Sequence, residues 1–260
     1  VRLGSGGLLA GFFLSVFALH AAEPSRPSPL KSGTEFASDD VRRLQADDFA
    51  NPGMLWVARG ERLWREPSGG ARRSCADCHG EAATSMRGVA TRYPLVDAGS
   101  GRLVNLAGRI NLCRERHQRA EAFREESDDL LALTAHVAHQ SRGMPVAVAI
   151  DGKARKHFEK GRELYGARIG QMNLACTHCH DRNWGRQLLG EVISQGHGNA
   201  YPAYRLGWES VGSLARRIRA CFFGLRAEMP EYGAPELLEL ELYLGWRANG
   251  LPVETPGVRR

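Results

Sequence analysis

One five-residue pattern, present twice, fixes most of what this chain can be. Cys75-Ala76-Asp77-Cys78-His79 and Cys176-Thr177-His178-Cys179-His180 are both Cys-x-x-Cys-His, set 101 positions apart. Two thiols at that spacing can each form a thioether to one of the two vinyl groups of a haem. The histidine that follows can then reach the iron through a ring nitrogen. Cys-x-x-Cys alone also serves zinc and thiol redox sites, but two copies, each with its trailing histidine, point to haem. Two covalently bound haem c groups are therefore expected, held by Cys75, Cys78, Cys176 and Cys179, with His79 and His180 as iron ligands.

The repeat extends beyond the motifs. Gly60-Glu61-Arg62-Leu63-Trp64 matches Gly161-Arg162-Glu163-Leu164-Tyr165 at the same offset of 101. Cys113 corresponds to Cys221, Asp129-Leu130-Leu131-Ala132-Leu133 to Glu236-Leu237-Leu238-Glu239-Leu240, and Arg142-Gly143-Met144-Pro145-Val146 to Asn249-Gly250-Leu251-Pro252-Val253. The order helix, haem motif, lone cysteine, helix, Gly-x-Pro-Val occurs twice. The expected fold is mainly α: two tandem cytochrome c-like domains related by internal duplication, over 41–148 and 149–260, with Asp151-Gly152 as a hinge. Each half suits one small domain. Apolar spacing predicts helices over 52–64, 105–117 and 129–139, the last with Leu130, Leu133 and Val137 on one stripe. Residues 88–105 read as loop. Gly60 and Gly161 would permit close backbone approach where the first and last helices of each half cross.

The N-terminus reads as an export signal over 1–22: Arg2, then an apolar run from Leu8 to Leu19, then Ala18, Ala21 and Ala22 as small residues for cleavage. That run is too short to span a membrane comfortably. No membrane span is expected after cleavage, and the expected location is the periplasm, where covalent haem attachment takes place. Residues 23–40, with Pro24, Pro27 and Pro29, read as a flexible tether. The formal net charge of +6 comes from scattered Lys and Arg residues. That excludes the basic and aromatic stripe of a nucleic-acid binder and suits an anionic substrate or acidic partner.

With four of the six cysteines assigned, Cys113 and Cys221 remain, one per repeat. They could form a disulfide, which export permits, lie buried as inert thiols, or ligate the second face of each iron. The duplication favours ligation, because it gives each copy the same role. Methionine is the usual rival, but Met144 is matched by Leu251 and Met229 has no counterpart. In Arg216-Arg217-Ile218-Arg219-Ala220-Cys221, a helix would place Arg217 four residues before the cysteine and on roughly its face. A guanidinium there would hold a small oxyanion through forked hydrogen bonds. Cys113 has Arg109 and Arg114 nearby, so charge alone does not separate the two sites. His178 is expected to face outward and His136 and His139 to lie on a solvated helix edge. His117, His157 and His197 show no partner pattern.

The residues Cys75–His79, Ser141–Gly152, Glu159–Tyr165, Cys176–His180, Tyr201–Leu206, Arg217–Cys221 and Asn249–Val253 together resemble the SoxA family, the dihaem subunit of the SoxAX cytochrome of bacterial sulfur oxidation. The resemblance spans about residues 40–260. It implies an L-cysteine S-thiosulfotransferase that pairs with the monohaem cytochrome SoxX. Such an enzyme joins thiosulfate oxidatively to a cysteine of the carrier SoxYZ and passes electrons to a c-type cytochrome. It further implies His79 and Cys113 as ligands of the first haem, and His180 and Cys221 as ligands of the second. Cys221 would be the catalytic sulfur, open to persulfidation, and Arg217 the substrate-binding residue. The alternatives are a dihaem electron carrier without substrate chemistry and a dihaem peroxidase.

Overall fold

Two helix crossings frame the molecule, and a glycine makes each possible. In the computed structural model, which describes Val1 and residues 26–260, helices α1 (Asp39–Ala46) and α2 (Met54–Arg65) precede the short α3 (Cys75–His79) and α4 (Ala82–Ser85). They are followed by α5 (Leu106–Cys113), α6 (Asp128–His139), α7 (Arg155–Gly166), α8 (Cys176–His180), α9 (Leu214–Gly224) and α10 (Pro235–Arg247). Helix α2 lies across α6 so closely that a Cβ on Gly60 would fall 2.1 Å from the Ala132 carbonyl oxygen. Helix α7 lies across α10, and a Cβ on Gly161 would fall 2.0 Å from the Glu239 oxygen. The close approach expected of these two glycines is what the structure contains.

Local chemistry explains the partners in these crossings. Helix α6 starts at Ser127, whose hydroxyl accepts the Leu130 N–H, and Asp128 and Asp129 stand in its first turn. Helix α10 starts with Pro235 at its first position. The single apolar stripe expected on α6 understates its burial, since every residue from Leu130 to Ala138 is buried. His136 is therefore in the interior against Trp64, ring centroids 6.0 Å apart, and not on a solvated edge. One core cluster gathers Trp64, Ala82, Leu106, Leu133 and Val137 around Cys75. The other gathers Phe158, Tyr165, Leu237, Leu240, Tyr243 and Leu244 around Cys176. Each such large side chain removed from water is worth ~1.5–3 kcal/mol.

The strands are short: β1 (Leu95–Val96) with β2 (Leu103–Val104), β3 (Gln187–Leu188) with β4 (Glu191–Val192), and β5 (Ala203–Arg205) between antiparallel β6 (Ser210–Gly212) and parallel β7 (Gly257–Arg259). The two Gly-x-Pro-Val segments pair with each other. Pro145 bridges Pro252, the Gly143 N–H donates to the Val253 oxygen at 2.8 Å, and the Val253 N–H donates to the Met144 oxygen at 2.9 Å. Leu103, Val146 and Val148 also enter the core built on Phe158 and Tyr243, so that core spans the hinge.

Two expectations about the N-terminal part fare differently. The export signal over 1–22 lies, Val1 aside, outside the described residues. Within the expected tether 23–40, residues 31–36 are held firmly, because backbone and hydroxyl groups there find partners on the far part of the chain. The Lys31 N–H donates to Gln195 Oε1 at 2.8 Å, the Ser32 hydroxyl to Glu254 at 2.5 Å, and the Thr34 hydroxyl to Glu254 at 2.6 Å. Among the described residues no helix is long and apolar enough to cross a membrane.

Candidate active site

Helices α8 and α9 bring sulfur, imidazole and guanidinium together. Helix α8 carries Cys176, Cys179 and His180 in little more than one turn. His180 Nδ1 lies 2.8 Å from the Ser194 carbonyl oxygen, to which it donates, and this leaves Nε2 for Cys221 or a bound metal. Gly196, at φ +76, presses on the same ring: a Cβ there would come within 2.9 Å of His180 Cγ. Helix α9 runs from its Ser213 cap to Gly224 and brings Cys221 beside His180 and the two motif cysteines. Two thiols on one short helix, an oriented imidazole and a further thiol nearby are the kinds of donor that would hold a covalently attached haem. The residues fit that group, and the glycine that lies flat on the histidine fits it too.

Electrostatics single out Cys221. Burial pushes its thiol up, but a hydrogen bond with His180 and the charges of Arg217, His180 and Arg205 outweigh burial and bring it down to about 7. Burial pushes Cys176 up to about 12 and Cys75 up to about 11, and it raises Cys113 and Cys179 as well. Cys221 in turn makes the Arg217 guanidinium harder to deprotonate.

The other arginines near Cys221 are engaged elsewhere. Arg216 stacks on Trp208 at 4.2 Å, Arg219 lies over Tyr232 at 4.4 Å and bonds the Pro230 oxygen, and Arg205 faces Glu191 at 3.9 Å. Among the described residues, no carboxylate comes within salt-bridge distance of Arg217.

The first motif lacks that feature. Cys113 closes α5 beside Cys75 and Cys78, and His79 packs its ring 5.8 Å from Trp64. Its neighbouring arginines are neutralised. Arg109 and Arg116 both bond buried Asp97, whose carboxyl falls to about 2, chiefly through the Ser100 hydroxyl and then through Arg116. Arg114 lies over Phe123 at 3.5 Å and donates to the Glu121 oxygen. Charge counted along the sequence did not separate the sites, whereas charge pairing in space does. No disulfide joins Cys113 to Cys221. Met144 sits over Gly88, and Met229 is exposed in the segment between α9 and α10.

Several supporting residues went unread in the sequence. Arg247, 1% exposed, stacks on Tyr165 at 4.6 Å and binds Asp181 at 2.6 Å, directly after His180. The Tyr165 hydroxyl donates to the same carboxylate at 2.9 Å, as the Trp64 indole N–H donates to the Gly80 oxygen at 3.0 Å after His79. The Trp64/Tyr165 match was visible as a repeat, while Arg247 gave no signal. His178 does not face outward; its Nδ1 accepts the Ala175 N–H at 3.0 Å and caps α8. His197 is buried against Gln195, and that burial pushes its pKa down to about 3, while His157 pairs with Glu239 at 2.9 Å.

The fold and the thiol–imidazole clusters define a c-type cytochrome, and a model of the SoxA/TsdA cytochrome c domain matches residues 59–146. The L-cysteine S-thiosulfotransferase subunit SoxA of Pseudaminobacter salicylatoxidans is 43% identical over 88% of this chain and 80% of its own. That of Rhodovulum sulfidophilum is 39% identical over the same shares. The crystal structure of SoxXA from P. pantotrophus superposes with a TM-score of 0.85 at 37% identity, covering 88% of this chain and 86% of that one. The chain belongs to the SoxA family of L-cysteine S-thiosulfotransferase subunits and carries covalently bound haem c.

Proposed function

We propose that this chain is a dihaem SoxA whose working site is the second one. Cys221 is the catalytic sulfur, Arg217 binds thiosulfate, and the carrier SoxYZ receives the product. The observation that carries this reading is the guanidinium of Arg217 one turn before Cys221 on α9, with no carboxylate at ion-pair distance among the described residues. An anion of thiosulfate's size and charge would supply the missing acceptors.

The tandem duplication and a second haem are part of the same proposal. Both halves cross their helices on a glycine, and both place their lone cysteine eight residues after a helix cap, Asn105 to Cys113 and Ser213 to Cys221. Both precede the haem motif with a small bridged turn, Ser68 with Arg73 and Ile169 with Leu174. These matches support two cytochrome c-like units over 41–148 and 149–260. His79 and Cys113 would ligate the first iron, and His180 and Cys221 the second.

In the reaction, Arg217 holds the sulfonate end of thiosulfate and turns its outer sulfur to Cys221. A sulfur–sulfur bond forms between the Cys221 thiolate and that outer sulfur, and two electrons leave for a c-type cytochrome acceptor. The carrier thiolate then attacks the outer sulfur. This breaks the bond to Cys221, returns the Cys221 thiolate and leaves cysteine S-thiosulfonate on the carrier; the proton of the carrier thiol goes to solvent. The positive charges of Arg217 and Arg205 beside Cys221 favour its thiolate, the form that must both attack and leave. The haem, when bound, supplies a one-electron couple tuned low by sulfur ligation. A persulfide on Cys221 is compatible with the same exchange.

The SoxXA neighbour supports a SoxX partner and, with the expected export signal, a periplasmic location.

The test is Cys221→Ala in the assembled complex. Thiosulfate-dependent reduction of the acceptor in the presence of the carrier should be lost. Turnover at the full rate would end the proposal. Mass spectrometry of the Cys221 peptide reads the persulfide directly. Low-spin thiolate signals from both haems in electron paramagnetic resonance would speak against a methionine-ligated electron carrier.

A further inference from the structure

Helices α5 and α9, which carry Cys113 and Cys221, start without acidic residues of their own. Helices α1, α6 and α10 carry their own acidic residues in the first turn, but neither α5 nor α9 does. A helix N-terminus presents unpaired N–H groups and a partial positive charge, which a nearby carboxylate stabilises. Each of these two helices instead has its cap residue held by an acidic side chain from the other half of the chain, which accepts a hydrogen bond from it.

Asn105 caps α5: its Oδ1 accepts the Gly108 N–H at 2.8 Å, which fixes which end of the amide points away. The free amide nitrogen donates to Glu241 Oε2 at 3.0 Å, and Glu241 sits on α10, buried at 6% exposure. Ser213 caps α9, its hydroxyl accepting the Arg216 N–H at 3.0 Å, while its own N–H points to Glu126 Oε2 at 3.4 Å. Glu126 belongs to the turn leading into α6 and adopts φ +59, a conformation glycine would take at less cost. Asn105, Ser213 and Glu241 all line one cavity of about 130 Å³. The links are reciprocal: the last helix of the second half holds the cysteine helix of the first, and the turn before the last helix of the first half holds the cysteine helix of the second.

We propose that Glu126 and Glu241 are positioning residues that act across the junction, Glu241 setting α5 and so Cys113 through Asn105, and Glu126 setting α9 and so Cys221 through Ser213. The proposal rests on the reading of Cys113 and Cys221 as iron ligands. Each cysteine lies eight residues from its cap on a short helix, and such a helix moves as a rigid rod about 12 Å long over that span. A displacement at the cap therefore reaches the sulfur. The duplicated units are in this way coupled at their ligands as well as at the Gly-x-Pro-Val bridge.

The experiment uses the dihaem holoprotein in its complex and records the paramagnetic resonance signal and reduction potential of each haem. Asn105→Asp keeps the Gly108 acceptor but replaces the donor facing Glu241 with a second carboxylate. It should shift the signal of the Cys113-side haem and leave the other in place. Glu126→Ala should shift the Cys221-side signal and leave the first in place, and Glu126→Gln, which keeps the acceptor, should restore it. Unchanged signals in both variants, or shifts confined to the haem of the substituted half in the case of Glu126, would overturn the proposal. Where Glu126→Ala fails to yield holoprotein, Glu126→Asp, which draws the carboxyl back from the Ser213 N–H and leaves the α9 cap in place, is read in the same way. Failure of the underlying ligand reading is separate, because Cys113→Ala and Cys221→Ala would then leave the two wild-type signals unmoved.

Discussion

Arg217 and Cys221 raise each other's charged forms: the guanidinium helps bring the thiol down to about 7, and the sulfur is the first cause of the raised guanidinium. They lie one turn apart on α9, with His180 beside the sulfur. The counterpart arginines near Cys113 spend their charge on Asp97. The same residue types at matched positions thus yield one anion-ready site and one that is internally neutralised.

Arg217→Ala is expected to lower kcat/KM for thiosulfate roughly 10- to 100-fold, the loss of hydrogen bonds from a charged donor. Most of the change should appear in KM, with the haem absorption spectrum intact. Arg217→Lys should recover only part, because an ammonium cannot grip the sulfonate with a planar fork. Arg109→Ala, which touches Asp97, should leave thiosulfate kinetics alone. Steady-state kinetics of the complex at fixed ionic strength decide the matter; equal losses at Arg109 and Arg217 would mean that only overall charge counts.

Gly60→Ala and Gly161→Ala should each destabilise the fold by about 3 kcal/mol or more, at the upper end of overpacking costs. The atoms a new methyl would meet are backbone oxygens, of Ala132 and Glu239, which cannot rotate aside. The helices must separate, and the core on either side of the crossing loosens with them. Denaturant midpoints of the holoprotein measure the effect, and a midpoint equal to wild type would show that the crossings tolerate more space than the structure gives them.

Gly196→Ala tests the support behind His180. A methyl there meets the ring at 2.9 Å, and the backbone at φ +76 resists any L side chain. The expected outcome is an altered paramagnetic resonance signal for the haem on that histidine and an unaltered one for the other. Gly185→Ala controls for the backbone, since Gly185 has φ +84 but no atom within 4 Å of a new Cβ. Equal effects from the two substitutions would assign the change to backbone strain alone.

The two Cys-x-x-Cys-His helices, the crossing glycines and the helices that carry Cys113 and Cys221 were legible in the sequence because each is a local pattern, and because its repetition removed rival readings. Arg217 was legible as one turn from Cys221, but its distinction from Arg109 was not. That distinction depends on Asp97, which reaches Arg109 and Arg116 only once the β1–β2 hairpin has folded. Arg247 and Asp181 lie 66 positions apart and meet by packing α10 against the turn after α8, a contact no periodicity encodes. His136 was misread for a related reason. Histidine on a helix usually lies at a wet edge, and only the crossing at Gly60 shows that this face of α6 has no edge.

Glu241 should make stability fall as pH rises through neutrality. Its carboxyl is pushed up to about 7 from the ordinary 4.5, first by burial and further by Glu125 and Glu126, against the opposing hydrogen bond from Asn105. The folded state therefore holds a proton that the unfolded chain has released between pH 4.5 and 7, so the contribution is complete below 4.5 and lost as pH climbs through 7. The difference corresponds to about 3 kcal/mol. Burial raises Glu125 and Glu126 in the same direction, while Arg216 and Arg219 and the Ser213 hydrogen bonds counter the rise at Glu126. Glu241→Gln keeps an acceptor for Asn105 and removes the titration. Unfolding free energies of the two proteins should agree more closely at pH 5 and diverge by about 3 kcal/mol toward pH 8, with the variant the more stable there. A difference that does not change with pH would show that Glu241 is ionised in the folded protein throughout, and that the cavity beside it is wetter than its burial implies.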